Sequence, residues 1–443
     1  MASTFFTLFQ AGDFQAALRV AEAYPPGHRR DRDIGTALLA LRRASEAVSP
    51  LRRAVDADPT QPEIWRNLGM AEEHMDRPAA ALEAFETAAG LSPQPRLTSA
   101  IARNLRQIGR VAEGEALLWT ALAGDNTAVL RFQLAQILLA QGKWREAWPL
   151  YEARHEMDSY AVPASETKWD GKPHANQAVV LVAEQGAGDA IQFCRFARDI
   201  AAAGQPVILK VPKRLVALLS TVHENAVVIP HDSTINTPGR TQVWAPMMTV
   251  PGLFDLTPRT VPRIAPYLTP PRRSGQWAAC LNQGALNVGL AWQGNPEGAI
   301  DTGRSIPLAA FAPLAAVEGV NLISLQVGHG TDQIAASGFA DRLAVPHDLD
   351  TGPDAFLDTA ALMQRLDLVV TSDTAIAHLA GALGRPTCLA LRKYPEWRWL
   401  QDRDDSPWYP SMRLFRQRIR GNWDGVMTRI AAEVSRLAAS RSA

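Results

Sequence analysis

The first third of the chain repeats one arrangement of apolar and small residues. Its clearest copy places such side chains at Trp65, Leu68, Gly69, Ala81, Phe85 and Ala88, followed by Pro93. An earlier copy lies 34 residues before it, at Gly35, Ala47, Leu51, Ala54 and Pro59. The spacing within each copy predicts two helices joined by a turn, and the proline ends the second helix.

This helix-turn-helix unit is of the tetratricopeptide type. Weaker copies follow at residues 109–126 and 141–156, and residues 11–25 form a partial repeat near the start. We therefore predict a solenoid of stacked repeats over residues 1–157, with a concave groove that docks a peptide or a protein. The alternative is that the repeats serve only as a scaffold or a dimerisation surface.

The pattern changes after Met157. Residues 158–177 are polar and contain Pro163, Gly171 and Pro173, so they are predicted to form a linker. Short continuous apolar runs, each typical of a buried parallel strand, then alternate with helical stretches. These runs are Ala178–Ala183, Pro206–Val211, Asn287–Trp292, Val320–Gln326, Leu366–Ser372 and Pro386–Leu391.

A proline-rich stretch, residues 251–273, separates two groups of these strands. We predict two doubly wound α/β domains, residues 158–272 and 273–443, that face each other across a cleft. This two-domain architecture is called GT-B. Ligands of open α/β sheets bind at the carboxyl ends of the strands, so the chemistry is expected in that cleft.

Composition narrows the classes of function. The chain has 45 Lys plus Arg and 45 Asp plus Glu, so no net charge attracts it to nucleic acid or to anionic lipid. Its three cysteines have neither paired nor metal-ligand spacing. The N-terminus lacks a basic leader, and no apolar run reaches the roughly 18 residues that span a bilayer. We expect a cytoplasmic protein without a membrane span.

A glycine turn follows the first predicted strand. Gly186 and Gly188 permit a tight turn, and the helix that begins there offers free N–H groups to an anion or a polar ligand. Asp189 projects from this turn as a candidate catalytic base; alternatively, its carboxylate only caps the helix. A dinucleotide-binding fingerprint is disfavoured because Ile191 takes the place of its third glycine.

A second strand-to-helix turn lies at residues 371–378. Thr374 and His378 are four residues apart and should share a helix face. With Ser372 and the N–H groups of the helix, they suit a phosphate or diphosphate group. Asp373 would repel a phosphate unless a metal intervened, so it is expected to cap the helix or to accept from hydroxyls. A purely structural histidine is the alternative reading of His378.

A third turn follows the strand at residues 287–292. Trp292, Gln293 and Gly294 are candidate ligand contacts there. Arg304, shortly afterwards, is a candidate for the fixed positive charge that stabilises a leaving phosphate. The alternative is an ordinary surface arginine.

An aromatic and acidic patch lies near the end of the chain, at residues 397–399 and 402–409. Asp402 and Asp404 superficially resemble a metal-binding D-x-D pair, but they follow the last expected strand in a charged loop. We interpret the patch as structural, or as packing against the edge of a base, with no metal.

Together these motifs resemble bacterial tetratricopeptide-repeat glycosyltransferases whose catalytic part is similar to the heptosyltransferase family, family 9. The matching segments are EQGAGDAIQFCRFA, GLAWQGN with RSIPL, DLVVTSDTAIAHLAGALGRPTCLAL and WRWLQDRDDSPWYPSMRLFRQ. They span most of residues 179–423.

The resemblance implies a metal-independent GT-B enzyme that uses a nucleotide sugar and has no cofactor. It implies that Asp189 is the general base and that Ser372, Asp373, Thr374 and His378 grip the donor. Heptosyltransferases also use a lysine in the donor site. Arg304 is its candidate substitute here, and this departure disfavours an ADP-heptose donor.

The repeats disfavour a lipopolysaccharide acceptor, because a membrane sugar requires no protein-binding solenoid. The chain is similar to repeat-bearing protein O-glycosyltransferases, including those that modify flagellin with nonulosonic acids from a CMP donor. A flagellin-like protein acceptor is therefore expected. Two alternatives stay open: an inactive transferase-like docking scaffold, and an enzyme acting on a glycan or a lipid.

Overall fold

The computed structural model describes residues 2–157, 167–270, 276–296 and 301–442. Residues 158–166 of the expected linker and 271–273 of the proline-rich stretch lie outside this part. The chain divides into two compact units, residues 1–138 with 150–157, and residues 139–149 with 158–443.

Consecutive helices joined by short turns build the repeat region. They are α1 (Ala2–Gln10), α2 (Phe14–Glu22), α3 (His28–Ala40), α4 (Ala44–Ala57), α5 (Pro62–His74), α6 (Pro78–Leu91), α7 (Pro95–Gln107), α8 (Val111–Gly124), α9 (Ala128–Ala140) and α10 (Trp144–Tyr151). The predicted helical repeats are therefore confirmed.

Glycines at equivalent positions of two repeats bring paired helices close together. A Cβ atom on Gly35 would lie 2.4 Å from Leu51 Cγ, and one on Gly69 would lie 2.7 Å from the Phe85 ring. Each glycine thus faces the large residue of the following helix. The same close approach recurs 34 residues apart, which is the physical basis of the repeat period.

Side-chain hydrogen bonds join the first helices of successive repeats. Asn67 Nδ2 donates to Thr36 Oγ1 at 2.9 Å, Asn104 Nδ2 to Glu73 Oε1 at 3.0 Å, and Ser99 Oγ to Gln133 Oε1 at 3.5 Å. Helices α3, α5, α7 and α9 therefore form one continuous layer of the repeat unit.

The second unit contains strands and helices. They are β1 (Gln177–Val182), α11 (Ala187–Phe193), α12 (Arg195–Ala202), β2 (Val207–Val211), α13 (Val216–Leu219), β3 (Ala226–Pro230), β4 (Thr241–Pro246), α14 (Val250–Leu253), β5 (Leu286–Ala291), α15 (Ala312–Ala315), β6 (Val320–Ser324), β7 (Leu343–Ala344), α16 (Leu357–Met363), β8 (Leu368–Ser372), α17 (Ala375–Ala382), β9 (Thr387–Leu391), β10 (Met412–Arg416) and α18 (Asp424–Ser442).

The strands form two parallel sheets, in the orders β3-β2-β1-β4 and β10-β9-β8-β5-β6-β7. All six strands predicted from continuous apolar runs are present, and the prediction of two parallel sheets is confirmed. The sequence analysis missed β3, β4, β7 and β10. Strands β4 and β10 contain polar residues and β7 has only two residues, so these three lack a continuous apolar run. Strand β3 is a short apolar run, AVVIP, that the sequence analysis overlooked.

Each sheet has a point where the order of strands reverses. In the first sheet the chain passes from β1 outward to β3 and then returns to β4 on the other side of β1. In the second it passes from β5 to β7 and then returns to β8 on the other side of β5. Crevices outside the carboxyl ends of the strands at such points are where open α/β sheets bind ligands.

Residues 139–149, which the repeat pattern places in the repeat region, belong to the second unit. There the ring of Trp144 stacks on that of Trp408, and Trp148 Nε1 donates to the carbonyl of Leu256 at 2.8 Å. Both tryptophans of this segment are buried. Their large apolar rings gain more from burial among the aromatic residues of the second unit than a surface position would allow.

Candidate active site

The turns after β5 and β8 meet at the switch point of the second sheet. The two strands are neighbours, with Ala291 paired to Thr371 at their carboxyl ends. The Gln293–Gly294 turn and the Ser372–Thr374 turn therefore leave the sheet side by side. This placement supports one shared ligand crevice for two motifs that are far apart in sequence.

The turn after β8 presents two buried hydroxyls. Ser372 is fully buried and Thr374, the residue before α17, is 9% exposed. Neither Ser372 Oγ nor Thr374 Oγ1 has a hydrogen-bond partner among the described residues. A buried polar group left without a partner costs about 1–3 kcal/mol, so both hydroxyls favour a ligand that accepts their hydrogen bonds. The first N–H groups of α17 lie at the same place and favour an anion.

The turn after β5 is held by a glutamine. Gln326 Oε1 accepts from the backbone N–H groups of both Trp292 and Gln293 at 3.0 Å, and Gln326 Nε2 donates to the carbonyl of Gln293 at 2.9 Å. The side chain of Gln293 is half-buried and accepts from Gln333 Nε2. This network rigidifies the turn next to the hydroxyls after β8.

The prediction that Trp292 contacts a ligand through its side chain needs correction. Its ring is 0% exposed and lies in the hydrophobic core of the second sheet, with Nε1 donating to the carbonyl of Gly330 at 3.0 Å. Trp292 therefore anchors the start of the turn. A large aromatic residue at the end of a buried strand fits the core as well as it fits a ligand pocket, so the motif alone did not distinguish the two roles.

Arg304 lies against the glycine of this turn. A Cβ atom on Gly294 would lie 2.3 Å from Arg304 Nη2, so a side chain at position 294 would displace the guanidinium from its present position. Arg304 Nη2 donates to Asp301 Oδ1 at 3.1 Å, and its side chain is only 15% exposed. Arg304 is thus not an ordinary surface arginine.

The first sheet supplies the turn between β1 and α11. Asp189 Oδ2 accepts from the N–H of Gly186 at 3.0 Å, which caps the start of α11 in the manner of a capping box. Gln185 just before the turn has a φ of 63°, a left-handed conformation that the tight turn requires. The capping role considered for Asp189 is therefore present in the structure.

The turns of the two sheets are in contact. A Cβ atom on Gly188 would lie 2.9 Å from His378 Cδ2 and 3.4 Å from Ala375 Cα. Helix α11 thus packs its first turn directly on the first turn of α17. The glycine matters here because a side chain would require either the His378 ring or one of the helix starts to shift.

Arg398, a residue that the sequence analysis placed only in a structural patch, reaches the Asp189 carboxylate. Its Nη2 donates to Asp189 Oδ1, its Nη1 to Glu396 Oε1 and its Nε to Gln192 Oε1. The Arg398 side chain is 7% exposed and that of Asp189 18%. One buried cation therefore bridges two carboxylates. The Trp-Arg-Trp motif was the only sequence signal that pointed to it.

Glu396 is the second carboxylate on Arg398. Burial raises the pKa of Glu396, the Arg398 cation opposes this rise, and the negative charge of Asp373 adds to it. Asp373 itself is half-buried. These three residues place both negative and positive charge beside the turn that follows β8.

His378 is buried and makes a stacked contact. It is 7% exposed, its ring stacks on Trp399 at 5.5 Å, and its Nδ1 is 2.9 Å from the Tyr409 hydroxyl. Burial lowers the pKa of His378 well below its ordinary value, and the cations of Arg398, Arg195 and Arg304 lower it further. The imidazole is therefore neutral at neutral pH.

Arg195 is a second buried cation in this region. Its Nη1 donates to the carbonyl of Trp408 at 2.9 Å and its Nη2 to the Tyr267 hydroxyl at 3.1 Å. The guanidinium also lies over the rings of Tyr267 and Tyr409, at 4.6 and 4.7 Å from their centroids. Its hydrogen bonds thus go to neutral groups, so its positive charge contributes to the potential around His378.

Two searches over the described residues are negative. No group of three or more His, Cys, Asp or Glu side chains has a geometry that could hold a metal ion. Among the described helices, none combines the length and the apolar composition that a bilayer crossing requires.

Comparison with known families matches two segments. The glycosyltransferase family 9 (heptosyltransferase) profile matches residues 352–391, which contain β8, α17 and β9. The bacterial transcriptional activator domain profile matches residues 31–105, within the helical repeats. The chain therefore carries a family 9-like glycosyltransferase segment that includes the two buried hydroxyls, and the match supports transferase activity.

Comparison with individual proteins gives a similarity that extends over most of this chain. The chain is 29% identical to Protein FlbA of Caulobacter vibrioides over 463 residues, covering 97% of this chain and 76% of that protein. Among solved structures, MamA is 18% identical and covers 34% of this chain and 91% of its own, with a TM-score of 0.31. A thermophilic TPR protein of Thermus thermophilus is 22% identical, with coverages of 35% and 89% and a TM-score of 0.30.

Proposed function

We propose that this chain is a GT-B glycosyltransferase that moves a sugar from a nucleotide-sugar donor to a Ser or Thr hydroxyl of a protein acceptor. The observation that carries the proposal is the contact between the two strand-to-helix turns. One turn presents a carboxylate, Asp189, and the other presents the unsatisfied hydroxyls of Ser372 and Thr374. A candidate base and candidate phosphate-binding hydroxyls thus lie at adjoining helix starts.

The donor phosphate binds at the start of α17. The hydroxyls of Ser372 and Thr374 donate to its oxygens, and the N–H groups of the helix add to them. Arg304 and Arg398 contribute positive charge, which stabilises the negative charge that develops on the departing phosphate. Neutral His378 does not add to this charge; it supports the helix start through Tyr409 and Trp399.

The acceptor oxygen attacks the anomeric carbon of the donor sugar. The bond between that carbon and the phosphate oxygen breaks, and the phosphate leaves with the electron pair. The acceptor proton passes to Asp189, whose carboxylate Arg398 and the N–H of Gly186 hold in one orientation. No step of this scheme uses a metal ion, so we propose a metal-independent reaction.

The donor class follows from the local charge. Arg195, Arg304 and Arg398 lie close enough to add to the lowering of the His378 pKa that burial causes, and Arg195 donates its hydrogen bonds to neutral groups. We propose that these cations favour an anionic donor. A CMP-linked nonulosonic acid carries a phosphate and a sugar carboxylate, and both negative charges favour such a place. The helical repeats favour a protein acceptor, and we propose a flagellin-like protein on the basis of the family resemblance.

The proposal is tested by intact-mass analysis of a flagellin acceptor incubated with the full chain and a CMP-nonulosonic acid. A mass increase of one sugar residue per site is expected, and it should be absent with Asp189→Asn and unaffected by a metal chelator. Donor binding without transfer to any protein would instead support the docking scaffold. Transfer only to a glycan or a lipid would overturn the protein acceptor.

Acceptor docking requires a test that spares the second unit. Deleting residues 1–157 would also remove Trp144 and Trp148, which are buried in that unit. Two substitutions on α5, Arg66→Glu and Met70→Glu, test docking without removing these tryptophans. Both side chains are exposed and lie one turn apart. A raised acceptor KM with unchanged donor KM is expected, and unchanged acceptor KM would argue against docking by this face.

A further inference from the structure

We infer that Trp144 and Trp148 are positioning residues for the Asp189 carboxylate. The inference rests on the proposed transferase function for its consequence in catalysis. The structural part of the inference does not depend on that function. Trp144 and Trp148 pack against the ring of Trp397, and this ring packs against the guanidinium of Arg398. Both tryptophans belong to the second unit, as does Asp189.

The two tryptophans lie one helical turn apart on α10 and pack on the same partner. Trp144 meets Trp397 edge-on at 6.1 Å and 87°, and Trp148 does so at 5.8 Å and 84°. The indole N–H groups are also used: Trp144 Nε1 donates to the carbonyl of Leu139 at 2.9 Å, and Trp148 Nε1 to that of Leu256. Their orientations are therefore determined by hydrogen bonds as well as by packing.

The ring of Trp397, which these tryptophans orient, contacts the guanidinium of the next residue, Arg398. The guanidinium carbon of Arg398 lies 4.6 Å from the centroid of the Trp397 ring and 5.3 Å from that of Phe193. Phe193 in turn meets Trp408 edge-on at 5.7 Å, and Trp408 stacks on Trp144 at 5.2 Å and 24°. Trp144 thus contacts one of the rings beside the guanidinium, Trp397, directly, and it contacts the other, Phe193, through Trp408.

The guanidinium then orients the carboxylate. Arg398 binds Asp189 and Gln192 with two of its nitrogens, so a rotation of its plane would move or break the bond to Asp189. Arginine forms such bonds in a fixed planar fork, which makes its direction depend on the rings that stack on it. Loss of Trp144 would leave an unfilled space beside Trp397 and Trp408 and would let this plane tilt.

The consequence for catalysis is a loss of turnover. A displacement of a reacting group by about 1 Å can cost on the order of 100-fold in rate, so we expect Trp144→Ala to lower kcat by roughly 10-fold to 100-fold. The donor KM should stay within a factor of about two, because Ser372 and Thr374 lie on a different element. Trp144→Phe, which keeps a stacked ring, should restore most of the lost turnover.

The experiment combines hydrogen exchange with a double-mutant cycle on the full chain. Trp144→Ala should quicken amide exchange severalfold in the peptide covering residues 184–194, and Trp119→Ala, which removes an exposed ring of α8, should not. In an Arg398→Lys background, Trp144→Ala should cause no further loss of kcat. The guanidinium that connects the aromatic rings to Asp189 is already absent in that background.

The outcomes separate this inference from the proposed function. Unchanged exchange at residues 184–194 in Trp144→Ala, or an equal loss of kcat in both backgrounds, would overturn the positioning role. A wild-type chain without transfer to any acceptor would overturn the proposed function, and the exchange measurement would still decide the positioning role. General unfolding would appear as faster exchange in both sheets, whereas the positioning role predicts faster exchange at residues 184–194 without a matching change in the rest of the two sheets.

Discussion

Arg398 donates a hydrogen bond to the carboxylate of Asp189, a residue 209 positions earlier in the chain. The bond joins the loop after β9 to the turn after β1. It holds the carboxylate of the candidate base in one orientation, and the same guanidinium also binds Glu396. The orientation of the Asp189 carboxylate therefore depends on a residue outside its own sheet.

Replacement of Asp189 by Asn tests the base. The amide oxygen can still accept from the N–H of Gly186 and cap α11, but it cannot accept a proton. A general base contributes about 10²-fold to 10⁴-fold, so kcat should fall by roughly that factor. Donor affinity, measured by calorimetry, should be unchanged. Turnover at the wild-type rate would remove Asp189 from this role.

Replacement of Ser372 by Ala should have opposite effects on stability and binding. The hydroxyl is fully buried and has no partner among the described residues, so its removal should raise the free energy of unfolding by up to about 1–3 kcal/mol. The donor Kd should rise by roughly 10-fold, since one hydrogen bond to the phosphate is lost. Denaturant titration and calorimetry measure the two effects, and a loss of stability would show that the hydroxyl is satisfied in the free protein.

The buried histidine predicts a pH dependence of stability. The pKa of His378 is lowered on folding, so the unfolded state binds a proton more readily than the folded state. The stabilisation is complete above the unfolded pKa of about 6.5 and is lost at about 1.4 kcal/mol per pH unit as the pH falls below it. Unfolding free energies at pH 7.5 and 5.5 should therefore differ less in His378→Gln than in the wild type. An equal difference in both proteins would contradict a buried neutral imidazole.

Two glycine substitutions form a matched pair. Gly188→Ala places a methyl group 2.9 Å from His378 Cδ2, so the His378 ring or one of the helix starts must shift and both transfer and donor binding should weaken. Gly90→Ala in α6 meets no atom within 4 Å and should stabilise the protein by up to about 1 kcal/mol, with unchanged transfer. Thermal melting and the transfer assay compare them, and a fully active Gly188→Ala would show that the contact is not required.

The local patterns of the sequence determined the elements of this protein. Apolar runs identify buried strands because a strand covered on both faces has no exposed side, and Gly35 and Gly69 identify the repeat because helices approach closely only at small residues. The strand-to-helix turns at Asp189 and Thr374 were visible in the same way. Each of these features depends on residues that are near one another in the chain.

Only the tertiary structure decided which of these residues meet. The pairing of Asp189 with Arg398, the contact of Gly188 with His378 and the burial of Trp292 all depend on how separate elements pack. The assignment of Trp144 to the second unit is of the same kind, since a tryptophan in a helical repeat fits many apolar surfaces. The type of each side chain is given by the sequence, but its contacts depend on the tertiary structure. The reason is that the free energy gained by burying a side chain depends on all the elements that pack against that side chain.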